Sequence, residues 1–281
     1  MTRDEKMAVL LQKDAYTAAD LLTIVEILRL PGGCPWDREQ THKSIRGDLI
    51  EETYEVIEAI DNDDPDLLCE ELGDVLLQVV MHARMEEEAG RADFDKIADG
   101  VCRKLIHRHP HVFGQVQVSD SAEVLSNWDK IKSEEKSRVT RTDKLRAIPR
   151  QLPALLRAAK VGKKSDVLDF PDVASALDKT HEELTEVDEA LAVADPAAVA
   201  EEIGDLLFAA ANLSRKAGVD PEKALSDAIE KYIDRFACVE AGAAAAGRDM
   251  ADMTPEELDI LWINAKKITK SAEKQAKSAK N

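Results

Sequence analysis

Hydrophobic and polar residues nowhere alternate in a sustained way along this chain, so their pattern predicts no β-strand. The stretch DLIEETYEVIEAI, at residues 48–60, instead sets glutamates three and four positions apart among apolar residues, the spacing of neighbours on a helix. Further helix starts are marked by N-cap residues followed by proline or glutamate, at Asp64, Asp120, Asp195, Asp220 and Thr254. The pattern predicts an all-α protein.

The predicted helices form an internal repeat. Shifting the sequence by 131 residues places residues 51–81 on residues 182–212 without a gap, and 13 of the 31 positions are identical. Eight of those identical positions are acidic, whereas most of the apolar positions have changed. A solvated acidic face would have no reason to keep individual positions, so the repeat favours a specific role for these carboxylates. Each copy reads as a helix, a short turn and a second helix.

The repeat predicts two tandem, related helical-bundle domains, at residues 1–136 and 152–281. A polar, charge-rich linker is expected between them, at residues 137–151. The stretch RLPGGCPWD, at residues 29–37, is predicted to be a loop, and RHPHVFG, at residues 108–114, is predicted to end a helix.

Composition narrows the function classes. The 281 residues include 44% hydrophobic residues but 4% aromatic residues, which predicts an aliphatic core. A net charge of −18 argues against a nucleic-acid partner, because binding to nucleic acid relies on Lys and Arg side chains that neutralise its phosphates. Four scattered cysteines without a CxxC pair favour neither a zinc site nor a disulfide framework. No signal peptide or 18-residue apolar run is present, so we expect no membrane segment and a cytoplasmic location.

The repeated carboxylates are predicted to meet across each helical hairpin. Because a helix rises about 1.5 Å per residue, residues equally far from the turn lie at equal heights on antiparallel helices. Each hairpin then gathers four carboxylates at one level. They are Glu52, Glu55, Glu71 and Asp74 in the first copy, and Glu183, Glu186, Glu202 and Asp205 in the second.

Four converging carboxylates predict a site for Mg²⁺, with Mn²⁺ as a substitute, since hard cations prefer oxygen ligands. No EF-hand loop is present to favour calcium, and a di-iron site would need two Glu-x-x-His pairs, of which the chain has one, Glu39 with His42. The histidines give a weaker signal. Pro110 interrupts the run of His107, His109 and His111, and the other three histidines each stand alone in the sequence.

Basic and aromatic residues downstream suit a phosphate ligand. Lys231 and Arg235 lie four residues apart and are followed by Trp262, and Lys104 and Arg108 are followed by Trp128. Lys and Arg can bind phosphate, and Trp offers a stacking plane for a base. The alternatives are that the cations compensate a helix dipole and that the tryptophans belong to the core.

Several motifs together resemble a known family. The pattern EExxE followed by ExxD, the loop LPGGCPWDREQTH at residues 30–42, and KLIHRHPHVFG at residues 104–114 resemble the MazG-type nucleoside triphosphate pyrophosphohydrolases. The similarity is to the long, tandem-domain bacterial form and runs over nearly all of residues 18–270. The carboxylate pattern alone is shared with all-α dUTPases, whereas the loop and the tandem layout are more specific.

This resemblance implies a homodimer that uses Mg²⁺ to hydrolyse nucleoside triphosphates to monophosphates and pyrophosphate, by attack of water at the α-phosphorus. It implies broad specificity of the house-cleaning kind, with the carboxyl-terminal domain as the main catalytic domain. The implied catalytic metal ligands are Glu183, Glu186, Glu202 and Asp205. The implied substrate contacts are Lys179, Glu182, Glu201, Lys231, Arg235 and Trp262. In the first copy Asp48 stands where the second has Lys179 and would repel a triphosphate.

Two alternatives remain open at this point. A narrower hydrolase could act on dUTP, on damaged deoxynucleotides or on a guanosine alarmone, although no adjacent His-Asp pair supports a His-Asp alarmone hydrolase. A non-enzymatic helical interaction module could bind metal only structurally. The basic and tryptophan residues favour an enzyme, since a structural metal site would not need them.

Overall fold

A computed structural model describes residues 1–135 and 140–279, and the side chains only as far as residue 271. No strand occurs in these residues, so the prediction of an all-α protein is confirmed. The chain divides into two compact units between Lys132 and Ser133. Within the described ranges, no helix is both long and apolar enough to cross a membrane.

The first unit is built from the following helices: α1 (Arg3–Leu10), α2 (Ala18–Arg29), α3 (Pro35–Glu39), α4 (Arg46–Asp61), α5 (Pro65–Glu88), α6 (Phe94–Arg108), α7 (Pro110–Phe113) and most of α8 (Ser121–Glu135). The second unit contains α9 (Arg141–Arg146), α10 (Ala154–Ser165), α11 (Val173–Val193), α12 (Pro196–Lys216), α13 (Pro221–Ala245) and α14 (Pro255–Ala279).

The two repeated hairpins, α4–α5 and α11–α12, turn at matching residues. Asp64 accepts hydrogen bonds from the backbone N–H groups of Asp66 and Leu67, and Asp195 caps α12 in the same way through Ala197. The residues before these caps, Asp63 and Ala194, both have left-handed backbones, with φ of +53° and +57°. The repeat in the sequence therefore corresponds to a repeated turn geometry.

The core of the first unit fixes α5 against its neighbours. Buried residues from α2, from the start of α4 and from α5 pack together: Val25, Ile45, Val80, Met81 and Met85. Phe94, at the start of α6, packs against this cluster. These contacts surround the carboxyl-terminal half of α5, so its amino-terminal half is left beside α4, where the carboxylates lie.

Small residues allow close helix packing in the second unit. α11 pairs with α12, α13 pairs with α14, and α10 packs on α12 and α13. At Gly162 of α10, an added Cβ would lie 1.7 Å from Oδ1 of Asn212 in α12. Asn212 is 1% exposed, and its Oδ1 accepts hydrogen bonds from Arg215, which also pairs with Asp169. This aliphatic, alanine-rich packing fits the low aromatic content.

Three helices lie in segments that were predicted to be a linker, a loop or the end of a helix. α9 lies in the predicted linker, where Thr140 and Asp143 form a capping box and the following Ile148 is buried; residues 137–139 of the linker lie outside the described ranges. α3 begins within the predicted loop, and α7 follows the predicted helix end. Both start at a proline, which favours the first position of a helix even in a short segment.

His42 and His82 stand alone in the sequence but contact each other in the structure. Their Nδ1 atoms lie 2.7 Å apart, and their rings are nearly parallel. Burial, and then the neighbouring His42, lower the pKa of His82. The pair joins the segment before α4 to α5 at the open end of the first hairpin.

Candidate active site

Each repeated hairpin brings three glutamates together. In the first unit, Glu52 and Glu55 of α4 and Glu71 of α5 each offer an oxygen, and these oxygens lie within 4.8 Å of one another. We call this group the first triad. The second triad consists of Glu183, Glu186 and Glu202, with the same spacing across α11 and α12.

The two aspartates predicted to complete these sites lie outside the triads. Asp74 is half-buried, and its charge is close enough to raise the pKa values of Glu52 and Glu71. Asp205 is exposed on α12. The structure therefore gathers three of the four predicted carboxylates of each copy at this distance, and the assigned roles of all eight stay predictions.

In the first triad, burial and mutual repulsion raise the pKa values of two glutamates. Burial raises the pKa of Glu52 to about 7, with further contributions from a hydrogen bond with Glu55 and from the charges of Asp74, Glu55 and Glu71. The pKa of Glu71 is also raised, first by burial and then by Glu55. A carboxyl group with a pKa of about 7, such as that of Glu52, keeps its proton in part or takes up a cation near neutral pH.

A lysine distinguishes the second triad. Lys179 Nζ lies 2.8 Å from Oε1 of Glu182 and 2.8 Å from Oε1 of Glu183, and these two contacts raise the pKa of Lys179. The neighbouring carboxyl group of Glu183, and then burial, raise the pKa of Glu186 even though Lys179 opposes this change. Glu183 is 6% exposed, and its Oε2 is buried without a hydrogen-bond partner in the described part of the chain.

The chemistry of the second triad fits a divalent cation. Three carboxylates lie close together, and one of them has a buried oxygen without a hydrogen-bond partner in the described residues. Burying such an oxygen costs desolvation free energy unless a ligand binds it. Mg²⁺ and Mn²⁺ prefer such hard oxygen donors. The first triad offers the same donors, although its oxygens include no buried, unpartnered atom within the described residues.

The predicted phosphate and base contacts of the second unit lie on its other hairpin. Lys231 is exposed on α13, and Arg235 Nε donates to Thr269 Oγ1 at 3.4 Å. The centroid of the Trp262 ring on α14 lies 5.1 Å from the centroid of the Tyr232 ring. No hydrogen bond, ion pair or ring contact in the described residues joins Lys231, Arg235 or Trp262 to the second triad. Glu201 is exposed on α12, one residue before Glu202.

In the first unit, two basic side chains contact the ring of Trp128. Arg108, which is buried, lies over the Trp128 ring at 5.2 Å from its centroid, and Lys132 lies at 4.4 Å. Lys104 is exposed on α6. A base could stack on Trp128 only by competing with these cation contacts, which favours a packing role for this tryptophan.

The contact of Lys179 with a triad glutamate was missed from the sequence. Its spacing was the available signal, because Glu182 and Glu183 follow Lys179 by three and four positions on one helix. In the first unit the matching residue, Asp48, is half-buried and forms no ion pair with any described residue.

Comparison with known proteins identifies the family. The MazG nucleotide pyrophosphohydrolase domain matches the chain twice, at residues 40–113 and 172–239, and each match includes one triad. The chain belongs to the MazG family. The prediction of this family, of two related domains and of an enzyme of this hydrolase class is therefore confirmed.

Relatives that match most of this chain support the same assignment. A nucleoside triphosphate pyrophosphohydrolase of Escherichia coli K12 is 44% identical over 252 residues, which cover 88% of this chain and 96% of that protein. The nucleoside triphosphate pyrophosphohydrolase/pyrophosphatase MazG of Thermotoga maritima is 41% identical over 249 residues, covering 88% and 94%. A nucleoside triphosphate pyrophosphohydrolase of Mycolicibacterium smegmatis is 36% identical, covering 86% of this chain and 64% of that protein.

Proposed function

We propose that this chain hydrolyses nucleoside triphosphates to nucleoside monophosphates and pyrophosphate, with Mg²⁺ as cofactor and Mn²⁺ as a substitute. The observation that carries the proposal is the second triad, which lies within a matched MazG domain. Its buried, unpartnered Glu183 oxygen would be satisfied by a cation. The names of the relatives from Escherichia coli and Thermotoga maritima support the substrate class.

The residues have distinct roles in the proposed reaction. Glu183, Glu186 and Glu202 would hold the cation, with Asp205 one turn further along α12. When bound, a divalent cation lowers the pKa of a water molecule and offsets phosphate charge. Lys231 and Arg235 bind the phosphates and stabilise the charge of the departing pyrophosphate, and Trp262 stacks on the base. Since the second triad consists of carboxylates alone, we assign the nucleophile at the α-phosphorus to water.

A homodimer is part of the proposal, because both units expose apolar stripes. Leu72 and Leu76 of α5 are exposed, as are their counterparts in the repeat, Ile203 and Leu207 of α12. α13 exposes a further stripe, which includes Ile229 and Ile233. Contiguous exposed apolar residues of this kind mark interaction surfaces. A second copy would cover them and could bring Lys231, Arg235 and Trp262 to a triad.

The remaining partners follow from charge and substrate. A net charge of −18 disfavours binding to nucleic acid, whereas nucleoside triphosphates can bind through Mg²⁺ and the few cations named above. Such substrates favour the cytoplasm as the location. We expect broad specificity toward the base.

Product analysis tests the proposed function. Purified protein, free of contaminating pyrophosphatase, is incubated with each common NTP and dNTP and with Mg²⁺. We expect monophosphate and pyrophosphate from several of them, and no turnover in excess EDTA until Mg²⁺ or Mn²⁺ is restored. Release of orthophosphate with a diphosphate, or full turnover in EDTA, would contradict the proposal.

The same assay separates the alternatives. Turnover of dUTP, a damaged deoxynucleotide or a guanosine alarmone alone would indicate a narrow hydrolase. Metal binding without turnover of any nucleotide would indicate an interaction module.

A further inference from the structure

The contacts of Lys179 suggest a role that differs from the phosphate contact implied by resemblance. Its ammonium group lies 2.8 Å from one oxygen of Glu183 and 2.8 Å from one oxygen of Glu182. All three residues belong to α11, at spacings of three and four, so they share one face of the helix. In this arrangement the partly exposed lysine is bound to both carboxylates.

The two oxygens of Glu183 have different surroundings. Oε1 contacts Lys179, whereas Oε2 is buried and has no hydrogen-bond partner among the described residues. The whole residue is 6% exposed and belongs to the second triad. A carboxylate oriented through one oxygen and left open at the other is the usual arrangement of a metal ligand that a neighbouring residue holds in place.

We propose that Lys179 is a positioning residue that holds Glu183 through Oε1 and thereby directs Oε2 to the metal; this inference rests on the proposed function. Lys179 then acts on the metal site through one of its ligands. Its positive charge also limits the repulsion among the three glutamates, so the second triad is arranged for its cation before nucleotide arrives.

The first unit provides a natural comparison. Asp48 occupies the matching position and cannot donate to Glu52, the counterpart of Glu183. Glu52 interacts with Glu55, as Glu183 does with Glu186, but it has no cation at the position of Lys179 to orient its carboxylate. The difference between Lys179 and Asp48 therefore changes how the first metal ligand is held in each copy.

Mn²⁺ binding measured without nucleotide tests the inference. The full chain carries Glu55→Ala, which removes a ligand of the first triad, and free Mn²⁺ is followed by electron paramagnetic resonance. Lys179→Gln should raise the Mn²⁺ dissociation constant by about ten- to a hundredfold, the usual effect of removing a residue that orients a metal ligand. Lys179→Arg should restore most of the affinity, because a guanidinium can also donate to two carboxylates.

A matched control accounts for the loss of one positive charge. Lys223 is an exposed lysine of the same unit, on α13, and it pairs with Asp227. Lys223→Gln should leave the Mn²⁺ dissociation constant unchanged. Circular dichroism and thermal unfolding of all variants establish that they are folded, and Lys179→Arg keeps the test decisive if the glutamine variant is unstable.

Two results would overturn the inference and leave the proposed function standing. If Lys179→Gln binds Mn²⁺ normally but binds α,β-methylene-ATP more weakly, Lys179 contacts phosphate. If it binds Mn²⁺ more tightly, Lys179 is a counter-ion that the metal displaces. Failure of the proposed function looks different: the Glu55→Ala parent and the Lys223→Gln control would then bind no Mn²⁺, and the inference would fail with it.

Discussion

At the scale of single residues, the two triads handle the same repulsion in different ways. In the second, Lys179 contacts Glu183, while in the first the pKa of Glu52 rises to about 7. A folded-state pKa above the ordinary value means that the folded protein binds a proton more tightly than the unfolded chain. The first unit should therefore respond to pH in the absence of metal.

Glu52→Gln tests this response. In EDTA, the protonated Glu52 stabilises the folded state at acidic pH, and this contribution is lost as the pH rises through about 7. The unfolding temperature should therefore fall between about pH 5.5 and about pH 8 by more in the wild-type chain than in Glu52→Gln. Calorimetry across that range measures the difference, and parallel curves for the two proteins would show that Glu52 does not titrate there.

Residue-level detail was only partly predictable from the sequence. The mirror positions about each turn correctly placed Glu52, Glu55 and Glu71 near one another, because helix geometry determines height and face. Rotation about the helix axis is set by packing, and this left Asp205 exposed. The contact of His42 with His82 depends on the path of the segment before α4, which no periodicity describes.

At the scale of helices, close packing in the second unit depends on a glycine, which has no side chain. An added Cβ at Gly162 would lie 1.7 Å from Asn212 Oδ1 and 3.2 Å from Nη2 of Arg215, both on α12. Asn212 is buried and bonded to Arg215, so it has little room to move. The α10–α12 contact therefore requires glycine at this position.

Gly162→Ala should accordingly destabilise the second unit by about 1–3 kcal/mol, the usual cost of overpacking. Gly100→Ala is the matched control, because nothing lies within 4 Å of its added Cβ in α6. That variant should gain about 0.5–1 kcal/mol from the higher helix propensity of alanine. Urea unfolding measures both changes, and a stable Gly162→Ala protein would mean that α10 does not pack as described.

The helices themselves were largely predictable, since the caps at Asp64, Asp195 and Asp220 begin helices in the structure. The helices that occur where the sequence predicted other structure, α3, α7 and α9, are four to six residues long. Segments of that length carry too few apolar positions for a helical period to be visible. The charged residues around α9 also gave it the composition of a linker.

At the scale of the whole molecule, exposed apolar residues and high negative charge occur in one chain. The side chains of Ile229 and Ile233 on α13 are 50% and 51% exposed, one turn apart. A net charge of −18 keeps such a chain from non-specific association, but it does not remove the free energy gained by covering these residues. The proposed homodimer would reconcile the two features.

Light scattering should give twice the 31.0 kDa mass of the chain at micromolar concentration. The double change Ile229→Glu and Ile233→Glu should lower the mass toward that of the monomer, because it places charges in the apolar surface of α13. Leu168→Glu is the matched control, since this residue is 85% exposed and belongs to the short 3₁₀ turn between α10 and α11, not to α13. A monomer mass for the wild-type chain would refute the dimer.

The two copies should also differ in catalysis. Glu186→Ala removes a member of the second triad, so we expect kcat to fall by at least about a hundredfold, or about 2.7 kcal/mol of transition-state stabilisation. Glu55→Ala is the same change in the first triad. It should cost little on ordinary nucleoside triphosphates, because Asp48 stands where the second copy has Lys179. Thermal unfolding of both variants checks that folding is intact, since relief of repulsion should leave each at least as stable as the wild type. Equal losses of kcat would mean that both copies catalyse, and a greater loss in Glu55→Ala would reverse the assignment of the main catalytic domain.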